Sequence, residues 1–132
     1  MEVANIYAAW TAILFGFISG VYPGLLFYRE GWLGGYSSWR RRVMRLGHIS
    51  FFGIGFVNLA FALTVSHLHL TGQIVSVSSI LFIVGQITMP LICYLSAAHE
   101  RYRHLFFIPV ASLVGAASLL VFAMCSTTGL CT

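Results

Sequence analysis

The sequence predicts an all-α polytopic membrane protein, a four-transmembrane-helix bundle running up-down-up-down, and three observations carry that expectation. Hydrophobic residues make up 59% of the 132 residues and charged residues only 8%, against about half and about a quarter in soluble domains. The charges cluster in the stretches around Arg29–Arg45 and Glu100–Arg103, and long uncharged runs separate them. Each run is long enough, at roughly 1.5 Å per helical residue, to cross a hydrocarbon core of about 30 Å. The length corresponds to a single integral membrane domain.

The first span is expected over residues 4–28. Gly16, Gly20 and Gly24 fall at four-residue spacing, so they share one face and let a neighbouring backbone approach. We read that face as packing within the chain, with a dimer contact as the alternative. Pro23 lacks the N–H that would bond the Ser19 carbonyl and is expected to bend the last turn. The start of the chain carries an acidic residue, Glu2, and no basic one, so a cleaved signal peptide is not expected.

The connection from Arg29 to Leu46 holds Gly31, Gly34, Gly35, Ser37 and Ser38, residues that favour loops. Trp32, Tyr36 and Trp39 suit the headgroup level, and Arg40, Arg41, Arg42 and Arg45 suit anionic lipid headgroups. A short amphipathic helix over Ser37–Arg45 is expected to lie on the surface. The arginine block is too short and too close to an apolar run to indicate nucleic-acid binding.

The remaining spans are expected over residues 47–66, 73–97 and 104–125. Asn58 and Gln86 fall near the middle of the second and third. A hydrogen bond between them would satisfy both amides, at about 0.6–2 kcal/mol. A contact with a polar substrate or a quinone is the functional alternative for the same pair.

All seven basic residues are arginines of the first and third connections. The excess of arginine on one side places these connections in the cytoplasm and both termini outside, with a bacterial inner membrane as the expected location. Cys93 is read as a packing residue. Cys125 and Cys131 are read as free thiols, with a disulfide between them as the alternative.

The two hairpins resemble each other. YPGLLFYRE followed by RLGHISFF matches MPLICYLSAAHE followed by RYRHLFF in its late proline, its acidic turn and the Arg-x-x-His that leads into an aromatic-rich helix. A duplicated hairpin would put His48 and His104 at equal depth around an axis along the membrane normal. From this follows one cofactor expectation: haem b between His48 and His104, with His99 as an alternative ligand. Gly55 lies seven residues after His48 and Ala111 seven after His104, so each would present a small residue beside the ring. The competing view treats both histidines as interface residues. His67 and His69 lack enough partners nearby to hold a metal.

No nucleophile-based catalytic set is visible, and Glu2, Glu30 and Glu100 lie outside the apolar runs. The functional expectation is a small subunit of a larger membrane complex in respiratory or photosynthetic electron transfer, without catalysis of its own. Its partners would be the lipid bilayer, other membrane subunits, and haem b or a quinone. The alternative is a free-standing transporter or lipid-interacting protein without a cofactor.

Overall fold

The computed structural model describes Glu2 to Thr128. It contains α1 (Glu2–Leu26), α2 (Trp39–His67), α3 (Gln73–Ala98) and α4 (Phe107–Thr128). Two 3-10 turns join them, Trp32–Gly34 in the first connection and Glu100–Phe106 in the third. Among the described residues there is no strand. All four helices are long and apolar enough to cross a membrane, and the protein is an integral membrane helical bundle. Contacts are extensive between consecutive helices, and α1 also meets α3.

The first helix is built with mostly small residues inside and large ones outside. On α1 the buried positions are Asn5, Ala9, Ala12, Ile13, Gly16 and Pro23, while Trp10, Phe17, Ile18 and Val21 are exposed. In lipid, large apolar side chains gain nothing by leaving the surface, so helices associate where small residues permit close approach. The glycine face works in this way. A Cβ on Gly16 would meet the Phe52 ring at 2.7 Å, and one on Gly20 would meet the His48 ring at 2.6 Å. Gly24 faces open space.

Two boundaries differ from the sequence expectation. The surface helix expected over Ser37–Arg45 is instead the first part of α2, which runs unbroken from Trp39. Ser38 starts it by accepting a hydrogen bond from the Arg41 amide at 3.2 Å. The one weak helix former on the way in, Gly47, costs about 1 kcal/mol relative to alanine. It is held against α3, where a Cβ would meet Cys93 Cβ at 2.9 Å. The fourth helix begins at Phe107, not at His104. Pro109 lies in the first turn of α4, where its missing N–H costs no bond within the helix, and Glu100–Phe106 before it forms a 3-10 turn.

The expected pairing of Asn58 with Gln86 is also corrected. Asn58 Oδ1 accepts from Asn5 Nδ2 at 2.7 Å, and Asn58 Nδ2 donates to Ile54 O and Phe82 O. Ser79 Oγ donates to Asn5 Oδ1. Gln86 lies one helical turn beyond Phe82, roughly 6 Å along the axis, and its Nε2 donates to Ala8 O of α1 at 2.7 Å. Because α2 runs from Trp39 to His67, Asn58 lies past the middle of the helix, toward its His67 end. The α3–α4 seam is tied by Ser78 Oγ to Ala116 O and Ser112 Oγ to Leu81 O, at 2.8 and 2.9 Å.

Candidate functional site

The residues most open to a ligand lie in a cleft where α1, α2 and α3 meet. Thr11, Ala12 and Phe15 line it from α1, Phe51 from α2, and Gln86, Ile87, Pro90, Leu91 and Tyr94 from α3; its volume is about 370 Å³. Phe15, Ile87 and Leu91 are exposed, so the cleft opens on the outer surface of the bundle, where lipid lies. Phe51 stands between two other rings, with centroids 6.3 Å from Phe15 and 6.3 Å from Tyr94.

Two polar atoms of the cleft residues are buried without a partner among the described residues. Gln86 Nε2 is engaged with Ala8, but Gln86 Oε1 accepts nothing; Tyr94 Oη likewise makes no hydrogen bond. Unpaired polar atoms away from water cost about 1–3 kcal/mol each, and in a lipid-facing cleft only a membrane-soluble hydrogen-bonding molecule can restore the loss. The cleft thus combines an apolar lining with two buried polar atoms that have no partner among the described residues.

His48 points from α2 toward α1. Its Nδ1 lies 3.2 Å from Ser19 Oγ, and the serine hydroxyl is itself 3.1 Å from Gly16 O. The direction of the Ser19–His48 bond follows the imidazole tautomer, and no hydrogen bond engages Nε2 among the described residues. The ring packs edge-on to Phe52, centroids 5.4 Å apart. Gly55 is buried on α1, where a Cβ would meet Ala9 O at 3.3 Å. His104 and Ala111 are both exposed, and the 3-10 turn that carries His104 packs on α3. His99 is exposed, with its ring 6.3 Å from Tyr102.

The structure thus gives the expected haem residues separate surroundings. The seven-residue spacing from His104 to Ala111 no longer defines a shared helical face, because the turn and α4 have different helical pitch. Beside Gly55 the space is filled by α1. Among the described residues no group of three or more histidine, cysteine or acidic side chains is placed to hold a metal ion.

Arg40, Arg41, Arg42 and Arg45 also separate. Arg40 Nε donates to Ala97 O at 2.7 Å and so caps the end of α3. Arg42 is exposed, Arg45 is half-buried and Arg41 is buried. Cys93 is a buried free thiol. Cys125 is disulfide-bonded rather than free; Cys131, its expected counterpart, lies outside the described residues.

Asn5 was missed by sequence reasoning, which weighed only amides in the middle of expected spans. The available signal was its register with Ala9, Ala12 and Gly16 on the small-residue face. No family model matches the chain, and no curated protein or solved structure is similar to it.

Proposed function

We propose that the protein is a small integral subunit of a larger membrane electron-transfer complex, respiratory or photosynthetic, and that the cleft at Gln86 receives a quinol. The supporting observation is that Gln86 and Tyr94, two residues lining a lipid-facing apolar cleft, each bury a polar atom without a partner among the described residues. A quinol is apolar enough to reach that depth, brings hydroxyl donors for Gln86, and has a flat ring suited to Phe15, Phe51 and Tyr94. Apolar side chains around most of the bundle surface suit contact with lipid and with other membrane subunits. The arginine bias orients both arginine-bearing connections toward the cytoplasm of a bacterial inner membrane.

The test is direct. The protein is purified in mild detergent and its bound quinone is extracted and quantified. Gln86→Leu, which removes the acceptor together with the Nε2 donor to Ala8 O, should lower bound quinol about tenfold. Retention of another hydroxylated lipid instead, or undiminished quinone in the leucine variant, would overturn the quinol assignment and favour a lipid-binding protein. Haem b is the second reading, favoured by the free Nε2 of His48; it requires His48 and His104 to leave the surroundings described above. A reduced-minus-oxidised visible spectrum with sharp α and β bands, lost in His48→Ala, would establish it.

A further inference from the structure

Arg41 lies in the first turn of α2 and is 1% exposed. Its Nη2 donates to Phe27 O at 2.8 Å. Its Nε and Nη1 are buried and have no partner among the described residues, and the same is true of Arg45 Nε one turn along. Three rings surround the Arg41 guanidinium: Tyr36 at 5.0 Å, Phe27 at 5.1 Å and Trp32 at 5.5 Å. The Arg45 guanidinium lies 4.9 Å from the same Tyr36 ring.

The rings offset part of the cost of burying the charge, about 0.5–2 kcal/mol per good contact. They do not satisfy the N–H groups. Arginine cannot shed its proton to escape. The positive end of the α2 dipole adds to the two guanidinium groups, and the first turn of α2 contains no acidic residue. Glu30, the acid of this connection, is exposed. Two cations, unpaired donors and a helix N-terminus thus converge, and no acidic side chain of the described residues joins them.

We propose that Arg41, Arg45 and the start of α2 form a binding site for a phosphoryl anion at headgroup level, with Tyr36 as its cover. A phosphate offers enough acceptor oxygens for donors from two guanidinium forks. Tyr36 is 72% exposed and follows Gly34 and Gly35, whose φ values are 86° and 96°. Arg45 Nη2 donates to the Tyr36 carbonyl at 3.3 Å, so the cover opens by turning the exposed ring about its own side-chain bonds. Arg40 and Arg42 stand apart from the site: the first is committed to Ala97, the second is exposed. The site is therefore saturable and local, unlike general attraction of a basic loop to an anionic surface.

Two arms identify the source of the phosphate. In one, the full chain is exchanged between vesicles of phosphatidylcholine and vesicles containing phosphatidylglycerol, and lipids retained after extraction are counted per chain by native mass spectrometry. In the other, inorganic phosphate is titrated into the detergent-purified chain at constant ionic strength. Arg41→Gln and Arg45→Gln should each weaken binding about tenfold, while Arg42→Gln leaves it unchanged. Arg45 is only half-buried, so its variant reads the site even if Arg41→Gln does not fold. Binding in either arm with that pattern supports the site, and the responding arm names the source. Equal loss in Arg42→Gln, or no binding in either arm, would overturn it.

Discussion

Arg45-Leu-Gly-His48 and Arg101-Tyr-Arg-His104 each place an arginine, two residues and a histidine ahead of an aromatic-rich run. In the first, arginine and histidine are half-buried on one continuous helix; in the second, both are exposed on a 3-10 turn. The motif itself does not decide the outcome. Its flanks do. The first connection is long enough to fold Phe27, Trp32 and Tyr36 back over Arg41 and Arg45. The third is short and offers Arg101 only its neighbour Tyr102, at 5.1 Å. Downstream, α2 has no proline, whereas α4 carries Pro109 in its first turn.

The widest gap between the two regions should appear on deleting their arginines. Arg41→Ala empties the space among three rings and should destabilise the bundle by about 2–4 kcal/mol. Arg101→Ala should cost less than about 0.5 kcal/mol. Denaturation in mixed detergent micelles followed by circular dichroism compares them. Arg41→Met separates two contributions, because it keeps volume and removes an uncompensated charge. It should be milder than the alanine variant; equal losses would mean that charge, not packing, holds the aromatic cover.

The histidines come next. His48→Ala removes the Ser19 hydrogen bond and the packing against Phe52 and Gly20, and should cost about 1–2 kcal/mol. His104→Ala should stay within about 0.5 kcal/mol. A comparable loss at both positions in the same unfolding assay would show that the two arginine–histidine segments behave alike in solution after all.

Smaller still is the contrast along the glycine face. Gly20→Ala drives a Cβ to 2.6 Å from the His48 ring, and the ring must shift; a loss of about 0.5–1.5 kcal/mol is expected. Gly24→Ala meets nothing within 4 Å and gains up to about 1 kcal/mol of helix propensity. Thermal midpoints moving in opposite directions would agree with the structure. A loss of self-association at Gly24→Ala would instead expose a dimer face.

The helices and their membrane character were legible because uncharged runs between charge clusters have a single explanation in a bilayer. The limits of α2 and α4 were less legible. A charged block preceding an apolar run reads as surface, although nothing between Arg45 and His48 forbids a continuous helix. Pro109, by contrast, was a visible signal that an α-helix starting at His104 would lack an amide. Gln86 was recognised as a polar residue at depth, but its partner was not, since matching by depth depends on where each helix begins. Asn5 sits one turn from the start of α1, where an amide attracts no notice. The cleft could not be read at all: it arises from Phe51 and Tyr94 meeting across helices, and no spacing within one helix encodes that.

The most specific effect is a coupling. Ser19→Ala should cost about 0.5–1.5 kcal/mol, since its hydrogen bonds are lost and a small cavity remains. The single value says little, because Ser19 also bonds Gly16 O within its own helix. Combined with His48→Ala in a double-mutant cycle, the intrahelical part cancels and the interhelical part remains as a coupling of about 0.5–1 kcal/mol. The same cycle between Ser19 and His104 should give zero. A coupling near zero for Ser19 with His48 would mean that the histidine is held by the Phe52 and Gly20 contacts alone.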